Sequence, residues 1–187
     1  MRDINGKDVG DNYIVTDNFD AKDILQGEVG DCWFLSALSV VSHNRPELLE
    51  KLIHYKSRKD GVNGWYVIRF FKARKQRILA IDDRFPCRKD RRSKFCQLQY
   101  QDDKVEIWPL LFEKAYAKIH NGYDSLEGGR PEHAIVDLTN GISELIIFDD
   151  EEFEEMKNDG SLWERIVNAA DNRHLMCASS AGTSDRN

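Results

Sequence analysis

The chain has 187 residues, 41% of them hydrophobic, enough for one domain or one large subdomain with its own core. Its 27 Lys and Arg against 33 Asp and Glu leave a formal charge of -6, so the chain as a whole offers nucleic acid no attraction. The four cysteines, Cys32, Cys87, Cys96 and Cys177, include no C-x-x-C pair, which argues against a disulfide framework or a structural zinc site and points to a reducing, cytoplasmic compartment.

Residues 1 to 22 mix Asp, Asn and Gly with apolar positions such as Tyr13, Ile14, Val15 and Phe19, and read as an extended arm packed on the body. Met1 to Asp8 has no apolar h-region, and no run anywhere approaches the roughly 18 apolar residues of a membrane span, so secretion and membrane insertion are both disfavoured. The next stretch, Gln26-Gly27-Glu28-Val29-Gly30-Asp31-Cys32-Trp33, leads into an apolar run through Val41. This predicts a helix over 32 to 43, capped by Asp31, with Cys32 in its first turn beside N–H groups that lack an intrahelical partner.

A cysteine at such a helix start favours the thiolate, with a pKa that can fall from about 8.5 into the range of roughly 3.5 to 7.5. Gln26, on a turn made by Gly27 and Gly30, can aim its amide at the same point. The Gln26 amide and the Cys32 N–H would then be two donors for the oxyanion of an acyl transfer. The competing reading is a buried structural cysteine, common for free Cys. The glutamine, the glycines and Trp33 together favour the nucleophile.

Pro46 resets the chain for a helix over 47 to 54, and Ser57 to Gly64 is a polar turn. Trp65 to Phe71 and Gln76 to Asp82 read as strands of a hairpin joined by 72 to 75, and Pro86 ends the pairing. The basic cluster from Arg84 to Lys94 reads as a solvated loop, with contact to a phosphate or an acidic partner as the alternative. Apolar groups at 108, 111, 112, 115, 116 and 119 predict a half-buried helix over 107 to 119, stopped by Asn121-Gly122. A short helix follows at 132 to 139, then a strand at 143 to 148. The acidic run 149 to 159 reads as a solvated helix or loop rather than a metal site. Ser161 caps a helix over 162 to 170, 174 to 178 is a short strand, and the last residues fray.

The segment Gln26-Gly27-x-x-Gly30-Asp31-Cys32-Trp33 resembles the active-site signature of the calpains, intracellular calcium-regulated cysteine endopeptidases with a papain-like core. Further blocks match in order: Ile81-Asp82-Asp83-Arg84-Phe85-Pro86, Glu106 to Lys118, Gly128-Gly129, and Asp137-Leu138-Thr139-Asn140-Gly141. Together they run from about Asp23 to Glu144. The resemblance implies an α+β, papain-like fold, with a mainly helical nucleophile-bearing lobe and short peripheral strands. It divides the chain into an arm (1–22), protease core subdomain I (23–180) and a frayed tail (181–187).

On the same resemblance Cys32 is the nucleophile, Gln26 the oxyanion donor, Trp33 a shield against water, and Gly129 a close approach for substrate backbone, where a Cβ would intrude. Asp23 and Glu106 match the acidic ligands of a regulatory Ca²⁺, with carbonyls near Thr16 and Asn18 completing it; hard carboxylate oxygens suit that ion. Asn140 stands where the family has glycine, so the turn there is expected to differ. The catalytic histidine and asparagine of the family lie in a second subdomain downstream, expected to be absent from this chain. His43, His54, His120, His133 and His174 stand outside the family's Gly-His context. The implied function is proteolysis of intracellular proteins, with protein or peptide substrates and a second protease subdomain as partners, and little turnover by this chain alone. The alternative is a non-catalytic scaffold or calcium-responsive binding module.

Overall fold

The computed structural model describes residues 13–28, 30–55, 64–98, 100–101, 104–148 and 150–179, which fall into two compact units, divided between Glu144 and Leu145. The polar turn expected at 57 to 64, except Gly64, and the tail expected to fray at 181–187 lie outside the described residues.

In the first unit β1 (Tyr13–Ile14) precedes α1 (Cys32–Asn44) and α2 (Pro46–Leu52). Next come β2 (Ile53–Tyr55), β3 (Trp65–Lys72) and β4 (Lys75–Asp82), an antiparallel sheet in that order. β5 (Tyr100–Gln101) and β6 (Lys104–Glu106) follow, and β6 takes β1 as a parallel partner. The unit closes with α3 (Trp108–Ile119) and α4 (Pro131–Thr139).

The expected helix over 47 to 54 stops at Leu52, because Ile53 to Tyr55 pairs with β3, Ile53 lying opposite Ile68. Tertiary pairing overrides local propensity there. The strands are also less peripheral than the resemblance implied. β3 is eight residues long and alternates strictly enough to bury Tyr66, Ile68 and Phe70 in the core. The link to β4 is a two-residue turn in which Ala73 and Arg74 take φ of 50° and 61°, the left-handed geometry that matches strand twist.

α3 is the spine of this unit. Pro109 suits its first turn, and Trp108, Phe112 and Tyr116 recur every fourth residue, all fully buried. Phe34 of α1 stacks on Tyr116 at 4.1 Å between ring centroids, while Phe70 of β3 meets Phe112 and Tyr116 edge-on at 6.2 and 5.3 Å. The Tyr116 hydroxyl donates to Asp137 of α4 at 2.7 Å, and Lys72 at the end of β3 pairs with the same buried carboxylate. Burial and the Asp137 charge hold the phenol far above its ordinary range, so it remains a donor. Tyr116→Phe should therefore cost about 1.5 kcal/mol and lower Tm by about 3–6 °C, read by thermal unfolding; an unchanged Tm would mean that Lys72 alone satisfies Asp137.

The second unit contains α5 (Glu151–Asn158) and α6 (Ser161–Asp171), which pack together, with Phe153 and Leu162 buried. The acidic run is thus helical over Glu151–Asn158. Ser161 is the first helical residue rather than its cap; Gly160, at φ 83°, precedes it. Residues 143–148 and 174–178 form no strand, since β-forming side chains without a neighbouring strand have no ladder to join.

Candidate active site

Cys32 is the first residue of α1 and is exposed, while Trp33, Phe34 and Leu35 behind it are buried. The apolar run explains both facts: it drives the helix into the core and leaves the polar head at the rim. The Asp31 carbonyl accepts from the N–H groups of Phe34 and Leu35 at 2.8 and 3.1 Å. The Asp31 side chain does not cap the helix as expected; it points inward and is only 1% exposed.

Gln26 is exposed on the loop before the helix, and that loop is held by main chain rather than by its own turn. The Gln97 N–H donates to the Leu25 carbonyl at 2.7 Å, and the Glu28 N–H donates to the Lys94 carbonyl at 3.1 Å. Between them Gly27 lies flat on residue 95: a Cβ there would stand 1.7 Å from the Phe95 carbonyl oxygen. Residues 86–94 themselves form a hairpin-like loop through the Lys94 N–H to Pro86 carbonyl bond at 3.0 Å, and Arg88 pairs with Glu28 at 2.8 Å. The basic cluster is a loop, as its composition implied, and part of its charge is spent on the Gln26 loop.

Trp33 anchors the other side. Its Nε1 donates to the Leu126 carbonyl at 2.8 Å, and the Gly128 N–H donates to the Gly30 carbonyl at 3.0 Å. Gly129 lies against the indole, so a Cβ would stand 2.2 Å from Trp33 Cε2. The absence of a Cβ at 129 is therefore required by Trp33 itself. Asn140 ends α4 at φ 59°, ψ 21°, donating its N–H to the Val136 carbonyl at 2.8 Å. It adopts a left-handed C-cap, the conformation for which glycine is the usual choice and asparagine the next.

Sequence reasoning missed Glu113. It is 1% exposed and accepts the Cys96 N–H on both carboxyl oxygens, at 2.9 and 3.0 Å. Burial and the adjoining Asp31 carboxyl push Glu113 up to about 10, and burial raises Asp31 as well. A signal was present: Pro109, Leu110, Tyr116 and Ala117, three and four residues either side of Glu113, are all apolar, which places that glutamate in a buried sector of α3.

Asp23 and Glu106 lie in one acidic neighbourhood with Asp17. Asp23 is buried and accepts Trp108 Nε1–H at 2.9 Å; burial raises its pKa, with Asp20 and Asp17 adding to the effect. Burial, then Asp17 and Asp23, push Glu106 up to about 7, and its Oε2 is buried without a hydrogen-bond donor among the described residues. Among the described residues no group of three or more His, Cys, Asp or Glu is arranged to hold a metal ion. The donor chemistry nevertheless fits a hard cation: two buried or half-buried carboxylates, one with an oxygen that has no hydrogen-bond partner among the described residues.

No histidine among the described residues hydrogen-bonds Cys32. His43 closes the far end of α1, roughly 16 Å away at 1.5 Å per residue, His120 binds the Tyr116 carbonyl, and His54 contacts Arg69. His133 is exposed near the start of α4, and His174 is exposed beyond α6. No helix of the described residues is long and apolar enough to cross a membrane.

The sequence model of the calpain family cysteine proteases matches residues 5–187. The calpain-type cysteine protease ADL1 of Oryza sativa subsp. japonica is 33% identical over 165 residues, 88% of this chain and 7% of that protein. Calpain-13 of Rattus norvegicus is 35% identical over 133 residues, 71% of this chain and 19% of the relative. Calpain-9 of Homo sapiens is 35% identical over 122 residues, covering 65% and 17%. The chain thus spans less than a fifth of the length of each of these relatives. With a family model covering nearly all of its length, this chain belongs to the calpain family of cysteine proteases.

Proposed function

We propose that this chain is the nucleophile-bearing, papain-like half of a calcium-regulated cysteine endopeptidase that cleaves cytoplasmic proteins. The observation that carries the reading is Cys32, exposed at the head of a helix whose next three residues are buried. The thiolate attacks the peptide carbonyl, the amine leaves with a proton, and water releases the acyl group from sulfur. Gln26 and the Cys32 N–H hold the oxyanion. Gly129 and Trp33 form one wall of the groove in which substrate backbone lies. The proton for the leaving amine comes from a histidine of a second subdomain.

Asp23 and Glu106 would hold the regulatory Ca²⁺. Bound there, the ion supplies positive charge that lets neighbouring carboxylates ionise together. Asp23 stands two residues before Leu25, whose carbonyl fixes the Gln26 loop, so ordering Asp23 orders that loop. The alternative reading is a calcium-responsive scaffold without turnover.

The test is the alkylation rate of each cysteine by iodoacetamide, against pH and with or without Ca²⁺, read by mass spectrometry. Cys32 should react at least about tenfold faster than Cys96, which is fully buried and whose thiol burial pushes up. Ca²⁺ should change the Cys32 rate, and Glu106→Gln should remove that response. A Cys32 as inert as Cys96 in both conditions would leave the scaffold as the better account.

A further inference from the structure

Glu113 joins two pieces of main chain that the candidate site needs in fixed relation. The Gln26 loop is laid along residues 94–97 by the Leu25–Gln97 and Glu28–Lys94 hydrogen bonds, and Cys96, inside that same rail, gives its N–H to Glu113. On its other side Glu113 lies within hydrogen-bonding reach of the Asp31 side chain, one residue before Cys32. Both carboxyls are 1% exposed, and neither has a cationic partner among the described residues. As carboxylates they would present only acceptors to each other, and both oxygens of Asp31 would lack a donor among the described residues.

We propose that Glu113 keeps a proton, donates it to the Asp31 carboxylate, and acts as the positioning residue that holds the Gln26 loop and the head of α1 in register. One proton converts a repulsive pair into a charge-assisted hydrogen bond and supplies the donor that Asp31 lacks. The surroundings favour the shared proton. The groups facing the pair are the Cys96 thiol and the Tyr123 phenol, the latter stacked on Phe95 at 3.7 Å, and both are held neutral by burial and by these same carboxyls. Asp23 adds further negative charge near Cys96. The proposal rests on Cys32 as nucleophile and Gln26 as oxyanion donor; displacing one donor by about 1 Å can cost about 100-fold in rate.

Glutamine at 113 keeps the geometry, since its carbonyl accepts the Cys96 N–H and its NH₂ donates to Asp31; alanine breaks both links. The full chain, Glu113→Gln and Glu113→Ala are compared in two ways. Infrared spectroscopy at pH 8 should show the C=O stretch of a protonated carboxylic acid in the natural chain, absent from Glu113→Gln. Its absence from the natural chain overturns the shared proton. Cys32 is then treated with p-nitrophenyl acetate, in which sulfur bonds to the acetyl carbon, p-nitrophenolate leaves and the thiol proton goes to water. Only this reaction, not alkylation by iodoacetamide, passes through an oxyanion. The ratio of acylation to alkylation rates should fall about 100-fold in Glu113→Ala and return to within about threefold of the natural value in Glu113→Gln. An unchanged ratio in a folded Glu113→Ala overturns the positioning role. A natural Cys32 inert to both reagents overturns the nucleophile reading and the positioning role with it, while the infrared band still decides the proton.

Discussion

Gly27→Ala is expected to lower stability by about 3 kcal/mol or more and to detach the Gln26 loop, while Gly30→Ala, three residues on, stays within about 0.5 kcal/mol of the natural chain. The two glycines are indistinguishable as letters in the motif, yet their surroundings differ. A Cβ on Gly27 meets only backbone, the Phe95 oxygen at 1.7 Å, the Phe95 carbonyl carbon at 2.4 Å and the Lys94 oxygen at 2.9 Å, and backbone cannot rotate aside. One strand of the rail must move. The Leu25–Gln97 and Glu28–Lys94 hydrogen bonds that flank it would be lost together. A Cβ on Gly30 meets the Glu127 Cγ at 3.5 Å and the Gly128 nitrogen at 3.8 Å, both ordinary contacts. Urea unfolding gives the two stabilities, and amide exchange at Glu28 and Gln97 reports the rail. Equal stabilities in the two variants would show that the loop yields where its contacts say it cannot.

The same contrast explains what the sequence made legible. The helices declared themselves through period and punctuation: the apolar run from Trp33 to Val41, and Trp108, Phe112 and Tyr116 four apart behind Pro109. The hairpin was visible in the aromatic and β-branched run of β3. What stayed hidden depends on partners distant in the chain. Ile53 is a strand residue only because Ile68 lies opposite it, and residues 143–148 are not a strand for want of such a partner. Gln26 and Cys32 could be named from one contiguous motif. The rail that holds Gln26 could not, since residues 94–97 sit some 70 positions downstream and contribute carbonyls and N–H groups, which every residue type has. Glu113 lies inside the helix that the apolar period predicts, and only the position of Asp31, 82 residues earlier, gives it a role.

That role carries a signature in stability against pH. The Glu113 carboxyl titrates near 4.5 when exposed and is pushed up to about 10 in the folded chain, so between those values folding takes up a proton that unfolding releases. The contribution of Glu113 is fully present below about pH 4.5 and is lost as pH rises toward the folded value. Each pH unit in between removes up to about 1.4 kcal/mol, or about 4 kcal/mol from pH 6 to pH 9. Glu106, pushed up to about 7, bends the curve in the same direction at its acidic end, so the absolute slope belongs to more than one group. The difference between Glu113→Gln and the natural chain isolates Glu113, because glutamine keeps both hydrogen bonds and has no proton to lose. The variant should gain on the natural chain by up to about 1.4 kcal/mol per pH unit across the neutral range, measured by urea unfolding at pH 6, 7.5 and 9. Two parallel curves would mean that Glu113 is ionised in the folded chain, and that the Asp31 carboxylate at the foot of Cys32 finds its donor elsewhere.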